Sequence, residues 1–317
     1  MISPYLTAPA LRAALRHVKE NHGCAGADGE TIAAFEACLD ARLEDLQKRV
    51  EDQTYWAWPL RRIEVEKHPG DQERRTLLVP AVADRVLQTA VAAFLEPLVE
   101  PELEDCSFAY RRGRSVRMAV ERVYRLYHEG YTWLLDADID DCFASFDREM
   151  VAGRLATLVS DETAIRLVRL WLDYAVWDGA RLARPALGLP QGAVISPMLA
   201  NLCLDAMDDR LLADGLKLVR YADDFVILCK GRKEAERAYE LAGESLAALR
   251  LHLDAGKTRI TRFTEGFRFL GVIFLKDMLL QPFKTGRKRL KVLSVAEPMP
   301  AGPPACERRP LRQYRGF

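Results

Sequence analysis

Two adjacent aspartates, Asp223 and Asp224, sit between two short apolar runs, 216–221 and 225–229. A third, Asp138, lies near the end of the apolar run 133–139. Runs of this kind read as strands, and strand ends in a small sheet can lie side by side although far apart in sequence. Carboxylates gathered in one place repel each other and lose hydration, so they call for a cation. Mg²⁺ suits them because it prefers oxygen ligands and keeps waters that phosphate oxygens can replace; Mn²⁺ could substitute. Two such ions roughly 4 Å apart serve an attack of a hydroxyl on a phosphate, chemistry that asks mainly for positioning and charge neutralisation. The competing reading is that Asp223 and Asp224 are ordinary turn residues, as Asp often is.

The flanking pattern supplies elements to hold these ends. Leu11, Ala14, Leu15 and Val18 recur at helical spacing, as do Leu39, Leu43 and Leu46, with a Gly-containing loop at 24–29 between them. Residues 63–66 alternate like a strand, His68-Pro69-Gly70-Asp71 is a turn signal, and 75–80 is extended again, which predicts a basic β-hairpin. A helix is predicted from Ala83 to about Val99, burying Val86, Leu87, Ala90, Val91, Phe94 and Leu95. Ser196-Pro197 opens another, with Ser at the N-cap and Pro at N1, and Leu199, Leu202, Cys203 and Ala206 on one face. Residues 216–221 and 225–229 form a hairpin signal, although Ala-Asp is not the best turn pair. Ala235, Ala238, Tyr239, Ala242, Leu246 and Leu249 mark an amphipathic helix, and 258–261 and 267–274 read as closing strands. From Asp138 on, the order is strand, helical insert, helix, hairpin, helix, strand. That is an α+β arrangement approximating a split β-α-β-β-α-β sheet with helices on one face.

Lys plus Arg balance Asp plus Glu at 46 each, and a net charge of zero argues mildly against nucleic acid. The signs are segregated, however. Basic residues gather at Arg61, Arg62, Lys67, Arg74 and Arg75, at Arg111, Arg112, Arg114, Arg117, Arg122 and Arg125, and at Lys284, Arg287, Lys288, Arg289 and Lys291. Acids gather at Asp136, Asp138, Asp140, Asp141 and Asp147, and at Asp205, Asp208 and Asp209. Either these hold polyanions and cations, or they are solvated helix faces. The seven cysteines include no Cys-x-x-Cys pair, so neither a disulfide framework nor a zinc site is expected. Cys142, Cys203 and Cys229 read as small core residues. A cytoplasmic setting fits, and no apolar run is long enough to span a bilayer.

Seven segments, in order, resemble the motifs of reverse transcriptases and cover roughly residues 60 to 275. Tyr221-Ala222-Asp223-Asp224-Phe225 resembles motif C, Asp138-Ile139-Asp140-Asp141-Cys142-Phe143 motif A, and Leu189-Pro190-Gln191-Gly192-Ala193-Val194-Ile195-Ser196-Pro197 motif B. Gly256-Lys257-Thr258 resembles motif D and Phe269-Leu270-Gly271 motif E. Upstream, 74–80 with 84–88 is similar to motif 1, and 107–115 to motif 2. The resemblance implies a polymerase right hand with fingers (1–135), a ferredoxin-like palm (136–275, with the helical insert 151–189 packing toward the fingers), and a basic segment and Pro/Arg-rich tail or linker (276–317). The thumb would be short or absent. It further implies that Asp138 and Asp223 bind two Mg²⁺ ions, with Asp224 a weaker ligand and the Ile139 carbonyl completing one sphere. Phe143 would be the steric gate that clashes with a ribose 2′-hydroxyl. Gln191 and Gly192 would bring backbone close to the template or incoming base pair. Arg75, with Arg74 as the alternative in register, and Arg111 would hold the triphosphate. Lys257 would protonate the leaving pyrophosphate.

Ser196-Pro197-Met198-Leu199-Ala200-Asn201-Leu202 resembles the bacterial group II intron-like lineage. Motif 2 departs from it, reading Phe108-Ala109-Tyr110-Arg111-Arg112-Gly113 where intron proteins have Gly-Phe-Arg-Pro-Gly. Residues 136–147 with 107–115 are most similar to CRISPR-associated reverse transcriptases. That similarity implies Cas1 and Cas2 as partners and cDNA made for spacer acquisition, on an RNA template with a DNA primer and dNTPs. Three other readings stay open: a compact intron-derived or other defence enzyme without Cas1, a silent nucleic-acid-binding scaffold, and an RNA-directed RNA polymerase, which Phe143 disfavours.

Overall fold

The computed structural model describes residues 3–66, 74–280, 292–295 and 297–299. The turn expected at 68–71, the basic cluster at 284–291 and the tail beyond 299 lie outside them. Helix α1 (Ala8–Glu20) buries Leu11, Ala14, Leu15 and Val18, as its spacing requires. After α2 (Ile32–Ala37) and α3 (Leu39–Glu51), strands β1 (Leu60–Glu66) and β2 (Arg74–Val79) pair antiparallel, with Arg61 opposite Val79 and Glu66 opposite Arg74. Helix α4 (Val82–Val99) packs along α1 and sets Phe94 5.0 Å from the Tyr5 ring. The N-terminal segment is thus a cover for α4.

Helix α5 (Val116–His128), capped by Ser115, leads into β3 (Trp133–Asp138). The one-turn α6 (Cys142–Ser145) is followed by α7 (Arg148–Leu158), α8 (Glu162–Leu172), β4 (Val176–Trp177) and β5 (Leu182–Ala183). β4 joins β1 in parallel. From α8, Trp171 Nε1 donates to Tyr55 Oη and Arg166 Nη2 to the Val50 carbonyl, which ties this insert to the N-terminal elements.

Helix α9 (Ser196–Ala213), β6 (Lys217–Tyr221), β7 (Asp224–Cys229), α10 (Arg232–Ala248) and β8 (Arg259–Arg262) complete the second sheet, ordered β6-β7-β3-β8 and antiparallel throughout. Numbered along the chain these strands run 2-3-1-4, the ferredoxin-like arrangement. β9 (Phe267–Phe269), β10 (Val272–Leu275) and β11 (Met278–Leu280) form a separate antiparallel sheet rather than extending it. β12 (Val292–Val295), within the stretch read as a basic segment and tail, pairs with β1.

Four sequence expectations need correction. The helices do not lie on one face of the β6-β7-β3-β8 sheet. Leu135, Ala137, Leu218, Phe225 and Ile227 pack with the α9 and α10 side, whereas Leu134, Val219, Val226 and Leu228 pack with α5, Phe263, Phe267 and Phe274. Strands apolar at consecutive positions need cover on both faces. Helix α9 is buried nearly all round, polar Asn201, Asp205 and Asp208 included, while Ala206 is exposed. Ser196 is its first residue, with Ile195 at the cap position. Tyr239 on α10 is exposed, so that helix buries a narrower stripe than its pattern implied.

Candidate active site

Asp138, the last residue of β3, stands opposite Asp224, the first of β7. Asp140 N donates to the His252 carbonyl and Asp254 N to the Asp138 carbonyl. The peptide groups of Asp138 therefore point away from β7. Its pairing with Asp224 is the non-hydrogen-bonded kind, in which side chains come closest. By the same alternation the Ile139 carbonyl points to the Asp224 side.

Asp223 lies in the two-residue turn between β6 and β7. Ala222 ahead of it has φ 62°, a left-handed conformation costing about 1–2 kcal/mol in a non-glycine residue. A wholly buried cation braces this turn. Arg220 grips Asp208 (Nε–Oδ1 2.8 Å) and donates through Nη1 to the Ala222 carbonyl (3.1 Å) and Asn201 Oδ1 (2.9 Å). Asn201 Nδ2 in turn donates to the Ala109 carbonyl at 2.7 Å. The acidic turn, α9 and the loop at 107–115 thus share one polar network.

The carboxylates feel one another. Burial, and then Asp138 nearby, raise Asp223 above the usual carboxylate range, opposed by Arg75 and Lys257. Burial, then Asp136, Asp138 and Asp223, push Asp224 up to about 7. Lys257 Nζ donates to Asp138 and, at 3.0 Å, makes an ion pair with Asp254; these two partners raise its pKa well above an ordinary lysine's. Among the described residues no group of three or more His, Cys, Asp or Glu side chains is gathered tightly enough to hold a metal ion unaided. The residues nonetheless fit Mg²⁺ chemically: they offer only oxygen donors, their negative charges lack full compensation, and water and phosphate normally supply much of that ion's shell.

Arg75 on β2 reaches across to motif B. In the amide orientation that satisfies both partners, Gln191 Oε1 accepts from Arg75 Nη2 (2.7 Å) and Nε (3.1 Å), and its Nε2 donates to the Thr76 carbonyl (3.3 Å). Leu78 N donates to the Gln191 carbonyl at 2.8 Å. Gly192 follows at φ 118°, where a Cβ would lie 2.8 Å from the Leu78 carbonyl oxygen, so only glycine fits. Arg74 points elsewhere, to Glu64. Phe143 is half-buried on α6, and its carbonyl accepts from Leu189 N (2.6 Å), fastening motif A to motif B.

Arg111, to which the resemblance gave the triphosphate, is engaged within its own loop. Its side chain is 3% exposed and fully engaged. Nε and Nη2 hold Glu100, Nη1 donates to the Ser107 and Glu104 carbonyls, and Nη2 donates to that of Leu103. A guanidinium with this many internal partners braces the loop. The acids on α9 are structural as well. Asp208 pairs with Arg220, and Asp205 accepts from Glu104 N and faces Arg154. Sequence reading missed Arg220 and Asn201. The available signal was a lone Arg inside an apolar strand, which demands a buried partner.

The comparisons with known proteins agree with this geometry. The family described as "Reverse transcriptase (RNA-dependent DNA polymerase)" matches residues 65–274. Protein YkfC of Escherichia coli is 28% identical, over 78% of this chain and 74% of its own. The group II intron-encoded protein LtrA of Lactococcus lactis is 25% identical, over 73% of this chain but only 49% of LtrA. Among solved structures, telomerase from Candida albicans has the same fold (TM-score 0.56, 13% identity, 80% of this chain, 50% of that one). A chain of a partial Cas6-RT-Cas1–Cas2 complex matches at 27% identity and TM-score 0.48, over 77% of this chain and 40% of that one. A family match spanning most of the chain, on a ferredoxin-like sheet that pairs Asp138 with Asp224, places this protein: it belongs to the reverse transcriptase family and is related to its group II intron-encoded members.

Proposed function

We propose that this chain extends a DNA primer 3′-hydroxyl with deoxynucleotides on an RNA template. The observation that carries the reading is the cross-strand pair Asp138–Asp224, with Asp223 in the adjoining turn. Asp138 and Asp223, with Asp224 and the Ile139 carbonyl beside them, would hold two Mg²⁺ ions, or Mn²⁺ in their place. When bound, such ions lower the pKa of the attacking hydroxyl and neutralise the leaving pyrophosphate. Arg75, steadied by Gln191, receives the triphosphate, and Gly192 lets the nucleotide or template approach the backbone. Phe143 excludes a ribose 2′-hydroxyl. Lys257, kept protonated by its acidic neighbours, supplies the proton to pyrophosphate.

DNA synthesis on a primed RNA template, in Mg²⁺, is the test. Activity lost in Asp223→Asn/Asp224→Asn supports the reading; equal activity in that variant sinks it. The wording of motifs A and 2 supports a finer proposal, that the cDNA serves CRISPR spacer acquisition with Cas1 and Cas2. A pull-down recovering neither protein counts against that part alone. No helix among the described residues is long and apolar enough to cross a membrane, and a cytoplasmic setting fits the free thiols.

A further inference from the structure

If Arg111 is a loop brace, motif 2 must act through another residue. Its neighbour Tyr110 stands out on three counts. The ring is 57% exposed, while Ala109 before it is wholly buried and Arg111 after it nearly so. Its φ is 58°, a left-handed conformation that a bulky aromatic rarely adopts and that glycine or asparagine would adopt more cheaply. Strain of this kind persists only where the surroundings over-determine it, and it clusters at working sites.

The surroundings here do over-determine it. Arg111 ties down the carbonyls of Leu103, Glu104 and Ser107. Phe108 N donates to the Arg220 carbonyl (3.0 Å), and Arg220 N to that of Cys106 (2.8 Å). Asn201 holds the Ala109 carbonyl. The loop is thus a pedestal hydrogen-bonded on both sides of Tyr110, and Tyr110 is the side chain it presents. The same network ends on the Ala222 carbonyl, one residue from Asp223, so the pedestal and the acidic turn are set against each other. The phenol registers both halves of the site. After burial, the charge of Asp223 raises its pKa, and that of Arg75 opposes the rise. Tyr110 also borders an open groove of about 360 Å³ between α4, with Thr89 and Glu96, and the start of α9, with Pro197 and Met198.

We propose that Tyr110 contacts the incoming nucleotide, its hydroxyl donating a hydrogen bond to a phosphate oxygen within reach of Asp223 and Arg75. This rests on the polymerase reading above. It assigns to Tyr110 the contact that the motif 2 resemblance gave to Arg111. A hydroxyl that feels both a carboxylate and a guanidinium suits a phosphate oxygen, because it offers a donor and no further negative charge.

The experiment is equilibrium binding of a dNTP to the complex of full-length protein, RNA template and dideoxy-terminated DNA primer, which needs no chemistry. It runs alongside single-nucleotide incorporation with an extendable primer. Tyr110→Phe removes only the hydroxyl and leaves an exposed ring, so the fold is preserved. A lost hydrogen bond to a charged group should weaken dNTP binding roughly tenfold or more and raise KM to match, with kcat affected far less and primer–template affinity intact. Tyr110→Phe binding dNTP as tightly as the parent overturns the proposal. So does a defect confined to primer–template binding, which would move Tyr110 to the template. A parent protein that neither extends a primer nor binds dNTP removes the polymerase reading, and this proposal with it.

Discussion

Replacing Arg220 separates what holds the fold from what shapes the acidic turn. Arg220 and Asp208 are both wholly buried, and burial raises Asp208 while Arg220 opposes the rise. Arg220→Met would leave that carboxylate without its cation, a change that costs about 3–5 kcal/mol. Against a typical stability of about 5–15 kcal/mol, the variant should be weakened but measurable. Arg220→Met/Asp208→Leu removes the stranded charge as well, and an apolar replacement of a buried pair is often close to neutral. Urea unfolding should therefore show most of the stability returning in the double variant. Catalysis should not return, because the Ala222 carbonyl still lacks its donor and the turn at φ 62° is free to relax. Releasing about 1–2 kcal/mol of held strain corresponds to a loss of roughly tenfold in kcat. If single-nucleotide incorporation recovers together with stability, Arg220 is only half of an ion pair and the turn-bracing argument is wrong. A cost below about 1 kcal/mol for the single variant would show Asp208 to be uncharged in the fold.

Gly192→Ala, with its Cβ 2.8 Å from the Leu78 carbonyl oxygen and φ at 118°, should push β2 from motif B and disturb Arg75. A dNTP KM raised by about tenfold or more is expected; an unchanged KM would show that this contact does not set the triphosphate site. Arg111→Ala should lower the urea midpoint, because it removes the guanidinium that the Leu103, Glu104 and Ser107 carbonyls and Glu100 share, and the opposite pattern, a pure KM defect, would support the triphosphate role. Phe143→Ala should raise ribonucleotide incorporation more than it lowers dNTP use, as read in NTP-against-dNTP competition. Burial pushes Asp84 up to about 7 while Tyr55 Oη (2.6 Å) and Trp58 N (3.0 Å) donate to it. The fold then keeps a proton that the unfolded chain releases near pH 3.8, so stability from this group is complete below about pH 4 and is lost as pH rises to about 7. The loss is on the order of 4 kcal/mol, and urea midpoints of Asp84→Asn should lack that slope between about pH 4 and 7.

What was legible in the sequence is what repeats locally. The short apolar runs placed β3, β6 and β7 with little error, and the helical spacing placed α1, α4 and α10. The acidic ends of β3 and β7 meet because the split topology sets β7 beside β3 and antiparallel to it. The companions of those acids could not be read the same way. Arg75 finds Gln191 and Leu78 N finds the Gln191 carbonyl only after β2 has folded against a loop more than a hundred residues away. Nothing in the local pattern distinguishes Arg75 from Arg74. Strand alternation does, once β1 and β2 are in register, by sending Arg74 to Glu64.

Arg111 shows the limit of a motif most clearly. A motif preserves residue type and order, and an arginine suits a phosphate and a ring of carbonyls equally well, since both accept from its planar fork. Which it meets is decided by burial. Here Glu100 and the carbonyls of Leu103, Glu104 and Ser107 surround the guanidinium before any ligand arrives. The strained, exposed tyrosine that results beside it carries no mark in the sequence at all, because left-handed backbone at Tyr110 is imposed by its neighbours' hydrogen bonds and not by its own residue type. The carboxylates that would hold Mg²⁺ could therefore be reasoned from charge alone. The part proposed to meet the nucleotide had to be read from which polar groups the fold had already satisfied.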